Sequence, residues 1–328
     1  MQNQFNIEEI HNGLRLDKAI SLINPRISRT LVQKIIKNSQ LKLNGKICDN
    51  ISEKVKTGDF IEISETSPIP NDDNIDKKIE ANPNIKIDVL YEDEFLLVIN
   101  KQAGLTIHPG AGNHKDTLVN ALLHRYKNNL SMVNGKARAG IVHRLDRDTT
   151  GVLLLAKDDF THRELANQIK ERTAKRIYHA LVWNKPKMIA GNLQTNIGRH
   201  PADRRKRAVF KTSGKVAITK YKLLNSFFDG AISLLEVTLE TGRTHQIRVH
   251  MEHLGMPVVG DKVYSGNQNQ KKIGSIPAKI LEKFEKLNRQ FLHAYEISFT
   301  HPETLENLTF QAPYPKDIKA ILSSVDGR

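Results

Sequence analysis

At 328 residues and 39% hydrophobic composition, the chain is long enough for two domains with buried cores. Fifty lysines and arginines stand against 36 acidic residues, a formal charge of +14; that excess favours a polyanionic partner, because each neutralised phosphate releases condensed counterions. The single cysteine, Cys48, excludes an internal disulfide and any Cys-x-x-Cys zinc site, and fits a reducing, cytoplasmic setting.

Nucleic acid is the first expected partner and an anionic membrane surface the second. Residues 1–10 are polar, unlike a signal peptide, and no apolar run reaches the roughly 18 residues of a membrane span. Residues 14–64 read as a small unit. Ser28 is placed to cap a helix whose apolar residues Leu31, Val32, Ile35 and Ile36 recur at helical spacing. A strand with Leu41 and Leu43 ends in the turn pair Asn44-Gly45, and Gly58-Asp59 leads into a strand from Phe60 to Ile63. Residues 65–84, with Pro68, Pro70, Asn71, Asp72, Asp73 and Asn74, cannot build a core and read as a linker. The expected organisation is a small domain over 14–75, a linker over 76–84 and a large domain over 85–328. In the large domain, strands are expected at 95–99, 152–156, 177–183, 216–222 and 231–239. Helices are expected at 117–126, 160–172, 244–254 and 277–288. Their irregular mixing points to α+β rather than a doubly wound α/β sheet. A basic cluster from Arg199 to Lys211 is expected in a loop, where the net charge favours RNA contact over mere solvation.

The run from His143 to Gly151, His-Arg-Leu-Asp-Arg-Asp-Thr-Thr-Gly, directly precedes an apolar strand. A loop entering a buried strand is where a rigid scaffold can fix a reactive side chain. Asp146 lies two residues after Arg144 and one before Arg147, and neighbouring arginines favour the ionised carboxylate. Such an aspartate suits a nucleophile or base. The charge pattern alone fits exposed ion pairs equally well.

These residues resemble the catalytic motif of the RluA-type pseudouridine synthases. Residues 91–101 (YEDEFLLVINK) are similar to the segment that opens that family's catalytic domain, and residues 239–251 (LETGRTHQIRVHM) to its third motif, which contains Arg248. Tyr178 falls where the family has its active-site tyrosine. Residues 108–113 and 197–207 are closer to the RluD branch. The resemblance runs in order over roughly 85–315. Residues 14–64 resemble the small αL RNA-binding module, on Arg15-Leu16-Asp17-Lys18, Ser28-Arg29, Lys34 and Asn44-Gly45-Lys46. The usual glycine after that module's second helix is Ser39 here, and Asn38 is expected to take the left-handed conformation.

The resemblance implies an α+β catalytic domain with a mixed, mainly antiparallel sheet, preceded in sequence by a small α+β RNA-binding domain. It implies isomerisation of uridine to pseudouridine in a stem-loop of large-subunit ribosomal RNA or its precursor, by a monomer, without cofactor or metal. Asp146 would be the catalytic carboxylate, Arg248 its ion-pair partner, and Tyr178 a stacking surface for the flipped uracil and an aid in removing the C5 proton. Arg144 would fill the space that the base vacates. His143, Arg243, His245 and Gln246 would complete the substrate site, and Arg15, Lys18, Ser28, Arg29, Lys34 and Lys46 would contact RNA in the small domain. His250 and His253 share a helix face, yet no carboxylate or HExxH pattern completes a metal site with them and His245. A departure from the family is Gln102, where proline often follows the lysine. The segment 265–290 is a candidate for substrate choice. The alternatives are another ribosomal or transfer RNA site, a non-catalytic ribosome-assembly protein, or a nuclease or methyltransferase; the last two lack their clustered carboxylates and Gly-rich loop.

Overall fold

The short N-terminal elements bury one apolar face each. They are β1 (Gln4–Asn6), α1 (Leu16–Ile23), α2 (Arg29–Lys37), β2 (Leu41–Leu43), β3 (Lys46–Ile47) and β4 (Phe60–Ile63). A computed structural model describes residues 4–24, 27, 29–64, 79–110, 113–127, 129–264 and 274–326, and the chain divides into two units, Met1–Lys77 and Lys78–Arg328. In the first unit the strands pair antiparallel in the order β1-β4-β2-β3, and Leu16, Ile20, Val32, Ile36 and Leu41 pack beneath them. Asn44 and Gly45 both have positive φ, 52° and 79°, the backbone that a two-residue hairpin requires. Phe5 and Ile7 belong to this core, so the small unit begins before residue 14.

The helix pair is tied by Asp17, which is fully buried. Its carboxylate accepts from Arg15 (3.2 Å from each of two nitrogens), Arg29 (3.1 Å) and Gln33 (2.5 Å). Burial opposes its charge, but the hydrogen bonds from Gln33, Arg15 and Arg29 outweigh that and hold the carboxyl below its usual range. Arg29, Lys18, Lys34 and Lys46 remain exposed. Ser28 lies outside the described residues. The left-handed position after α2 is Ser39 itself (φ 56°), not Asn38, because Ser39 and Gln40 donate back to the carbonyls of Ile36 and Ile35 and close the helix at that residue.

The second unit is built on one ten-stranded sheet. Its strands are β5 (Val89–Glu92), β6 (Leu96–Lys101), β7 (Thr150–Ala156), β8 (Lys175–Trp183), β9 (Ala190–Arg199), β10 (Arg207–Phe210), β11 (Lys215–Phe227), β12 (Ile232–Leu239), β13 (Leu292–Thr300) and β14 (Asn307–Gln311). The order is β10-β9-β11-β12-β8-β13-β7-β6-β5, with β14 against β13. The β13–β7 pair is parallel and the other described pairs are antiparallel, so the fold is α+β on a mixed sheet. The helices are α3 (Leu118–Tyr126), α4 (Asp159–Glu171), α5 (Gln246–His253), α6 (Ala278–Leu287) and α7 (Lys316–Val325). Thr117 and Asn120 form a capping box at α3, and Asp158 caps α4 through the amides of Phe160 and Thr161. β7 is buried along its whole length. Among the described residues no helix is long and apolar enough to cross a membrane.

Two expectations change. The basic segment 199–211 is not a free loop: Arg199 ends β9 and Arg207–Phe210 is β10, pairing back onto it. Residues 79–84 are not linker, since Ile79 is buried in the large core and Asn82 hydrogen-bonds Asn120, Lys115 and Asp116. Residues 65–78 and 265–273 lie outside the described residues, as do Ala111 and Gly112. Strands β9, β10 and β14 escape a periodicity reading because their outer faces are half-exposed and mix polar with apolar residues.

Gly151 sets the β7–β13 junction. It holds φ 112°, and a Cβ there would lie 2.1 Å from the carbonyl oxygen of Ala294. Gly151→Ala is therefore expected to cost about 3 kcal/mol or more, measured by denaturant unfolding of the full chain. A loss within about 0.5 kcal/mol would mean that the two strands separate freely.

Candidate active site

The loop 143–149 reaches β7 under several constraints. Thr149 N donates to Asp146 O (3.1 Å), tightening the turn, and Leu145 is buried beside it. Lys101, at the end of β6 and 1% exposed, donates through Nζ to the carbonyls of Gln102 (2.9 Å), Leu105 (3.0 Å) and Arg147 (2.8 Å). Burial pushes its ammonium down to about 7, while Asp148 and Asp146 act in the opposite direction. Arg289 Nη1 donates to Asp148 O (3.2 Å) while its other nitrogens grip Asp317 of α7 at 2.8 and 2.9 Å. Gln290 Nε2 reaches Thr149 Oγ1 (3.1 Å), and Thr150 Oγ1 bonds His293 Nδ1 (2.9 Å). Two buried basic side chains, Lys101 and Arg289, thus hold the two carbonyls that follow Asp146.

Asp146 is 16% exposed and accepts from Arg248 Nη1 at 3.1 Å. Arg248 lies on α5, and Asp261 holds its remaining edge through Nε (2.6 Å) and Nη2 (2.9 Å). Asp261 is fully buried and also accepts from the amides of Val263 and Tyr264. Burial works against the guanidinium's charge, and hydrogen bonding and attraction to Asp261, then Asp146, overcome it and raise its pKa. The flanking arginines do not supply this partner: Arg147 Nε turns to Gly104 O (3.0 Å), and Arg144 is exposed with no hydrogen-bond partner among the described residues.

Asp146, Tyr178, Arg144, Arg243, His245, Gln246 and Arg248 all line one cleft. Tyr178, on β8, is 4% exposed; burial raises its phenol pKa against the pull of Arg176, so it is a neutral ring that suits stacking and makes a poor base. His245 stands at the start of α5 with φ 57°, its Nε2 4.0 Å from Asp146 Oδ1. Gln246 is buried and engaged with protein on both ends of its amide: Oε1 accepts from Thr241 and Arg243 N, and Nε2 donates to Ile218 O and Thr219. Arg243 is exposed and anchored by Nε to Val216 O. His143 lines the neighbouring groove, and its Nε2 accepts from Leu154 N (3.0 Å); burial with Arg176 nearby pushes it down to about 3, so it braces the loop as a neutral ring. His250 has both nitrogens at 2.8 Å from threonine hydroxyls, those of Thr219 and Thr195, which occupies its lone pair without a metal.

A second groove shares Arg144, Arg176, Gly242 and Arg243 with this cleft and adds Arg138, Lys170 and Arg172, against Glu240 as its acidic residue. Its charge suits a phosphate backbone beside the cleft. Sequence reasoning missed Lys101, Asp261, Tyr264 and Arg289. Lys101 ends the quoted 91–101 segment and the other three lie outside the quoted motifs; the role of each exists only once the chain is folded.

Residues 95–253 match the family described as RNA pseudouridylate synthase, and residues 14–61 match the S4 domain. An RNA pseudouridine synthase of Synechocystis sp. is 40% identical over 312 residues, 94% of this chain and 88% of that protein. The ribosomal large subunit pseudouridine synthase D of Neisseria meningitidis is 40% identical over 312 residues, 95% of this chain and 78% of that one. Among solved structures, the human protein RNA Pseudouridylate Synthase Domain Containing 4 aligns with a TM-score of 0.55 at 27% identity, over 73% of this chain and 93% of the other.

Lys101→Met keeps the length of the side chain but leaves three carbonyls without their donor. It is expected to lower unfolding free energy by about 2–4 kcal/mol, read from urea denaturation. Unchanged stability would mean that the carbonyls find other donors.

Proposed function

This chain belongs to the RNA pseudouridylate synthase family and is a pseudouridine synthase, and from that premise we propose that it isomerises uridines in structured segments of large-subunit ribosomal RNA with Asp146 as the reacting carboxylate. The observation that carries this reading is the Asp146–Arg248 pair: a carboxylate in an open cleft, hydrogen-bonded by an arginine that is itself buried and gripped by Asp261. The choice of RNA is supported by the relatives from Neisseria and Buchnera, both named ribosomal large subunit pseudouridine synthase D, and by the S4 match.

The target uridine leaves its stack, at a cost of a few kcal/mol that is least in loops and mismatches. Asp146 then attacks the anomeric carbon or removes a ribose proton, and the C1′–N1 bond breaks. The uracil turns and rejoins through C5, whose proton departs. Arg248 holds Asp146 aimed through its hydrogen bond. Tyr178 stacks on the uracil as a neutral ring. Arg144, exposed at the cleft mouth, stacks in the space left in the RNA. Gln246, with Arg243 clipped to it, shapes the floor. In the small unit, Arg15, Lys18, Arg29, Lys34 and Lys46 contact RNA phosphates, with Asp17 fixing Arg15 and Arg29.

Pseudouridine mapping of total RNA, by chemical adduct and primer extension, tests the assignment in cells with and without the protein. Signal should disappear at large-subunit rRNA positions without the protein, and return with wild type but not with Asp146→Asn. A pattern unchanged at every ribosomal uridine would sink the rRNA reading. RNA binding by the Asp146→Asn protein is expected to remain within about threefold of wild type, because the affinity resides in phosphate contacts. Removing residues 1–77 should flatten the plot of log affinity against log salt, by about 0.9 for each phosphate that the small unit neutralises. An unaltered slope would show that this unit does not touch RNA.

A further inference from the structure

The cleft holds a group whose protonation state is decided by its neighbours. Tyr264 is fully buried, and its hydroxyl oxygen accepts from the backbone amide of Arg207 at 2.7 Å. The same oxygen lies 2.9 Å from His245 Nδ1. A buried hydroxyl must place its own hydrogen on an acceptor, and among the described residues the acceptor within reach is that ring nitrogen. Tyr264 therefore donates to Nδ1, and the proton of the neutral imidazole sits on Nε2. The rings meet edge to face at 84°, which holds the imidazole plane. The ring stays neutral: burial lowers its pKa, Asp146 and Asp261 oppose that, and Arg248 and Arg207 add to it.

The Nε2–H is 4.0 Å from Asp146 Oδ1, too far for a hydrogen bond, and lines the same cleft. It is a donor beside the reacting carboxylate with its bond still unmade. His245 reaches this position through a left-handed backbone, φ 57°, that a residue with a Cβ adopts at a cost, and such strain gathers at sites where side-chain aim matters.

We propose that His245 is a catalytic residue that donates its Nε2–H to a carbonyl oxygen of the departing uracil, and that Tyr264 is the positioning residue that keeps the proton on that nitrogen. The inference rests on Asp146 acting at the ribose. In either route the C1′–N1 electron pair leaves with the uracil, whose negative charge spreads onto O2 and O4. C1′ gains its replacement bond from an Asp146 oxygen, or from the C2′–H electron pair while Asp146 takes that proton. A fixed, neutral donor next to the breaking bond meets charge that exists only once cleavage has begun, so it stabilises the transition state more than the bound uridine.

The test uses the full chain and single turnovers on a large-subunit rRNA transcript made with uridine or with 5-fluorouridine. Fluorine at C5 withdraws electron density and stabilises the departing anion by itself. His245→Leu is expected to slow glycosidic cleavage of the uridine RNA by about 100-fold or more, with RNA affinity within about twofold. On the 5-fluorouridine RNA that defect should shrink by about tenfold, and His245→Gln, which keeps an N–H, should lose less on both. Equal defects on the two RNAs, or a loss confined to affinity, would overturn the proposal. If His245→Leu does not fold, Tyr264→Phe is read on the same two RNAs. If the wild-type protein turns over neither RNA, the reading of function fails first. The ¹⁵N shifts of the His245 ring then decide the tautomer: protonated Nε2 keeps the assignment, and protonated Nδ1 ends it.

Discussion

A guanidinium taken out of water stays charged only if its hydrogen bonds and its charge are met, and the catalytic unit is arranged around meeting them for Arg248. Asp261 takes two of its nitrogens and leaves Nη1 for Asp146. The Tyr264 ring lies 4.9 Å from the guanidinium carbon and closes another side. Removing either aspartate would leave a buried charge short of a partner, which typically costs about 3–5 kcal/mol. The pair is therefore weak as a net source of stability and strong as a device for direction. One carboxylate is buried and silent so that the other can be half-open and aimed.

That aim would mean little on a mobile loop. The segment from His143 to Thr150 is held by Lys101, Arg289, Gln290 and His293, which arrive from β6, the segment before β13, and β13 itself. Arg289 extends the chain of support to Asp317 on α7. The parallel contact of β7 with β13 brings these residues together, and Gly151 allows the two backbones to approach at that point. The long sheet thus acts as a rigid platform, and Asp146 stands just before one of its most buried strands.

The two units use a shared device with opposite outcomes. In the small unit, Asp17 is buried and gathers Arg15, Arg29 and Gln33, so that cations on two helices are presented together. In the large unit, the carboxylate that gathers is Asp261, and the cation it fixes faces inward to another acid. The first arrangement sets a surface charge for phosphate. The second sets a paired carboxylate within the cleft.

Local chemistry was legible along the chain. The apolar spacing of Leu31 to Ile36, the Asn44-Gly45 turn, the Thr117 helix start and the apolar run into β7 each depend on neighbours within a few residues, and each is found in the structure. The motif run around Asp146 and the stretch holding Arg248 were legible too, as residue types in order, together with the family they resemble. What stayed hidden depends on residues far apart. Lys101 and Arg147 are 46 positions apart, and Arg289 and Asp148 are 141 apart; the Asp146–Arg248 pair, 102 apart, was reached only through the family resemblance. Flanking charge suggested Arg144 and Arg147 as partners for Asp146, yet a backbone turn sends them elsewhere and tertiary packing brings Arg248 instead. The sequence by itself determined the family, the strongly periodic elements and the candidate site residues. Only the tertiary structure decided that Asp261 grips Arg248 from behind and that Lys101 and Arg289 hold the loop, because desolvation and hydrogen-bond direction exist only after distant segments are packed together.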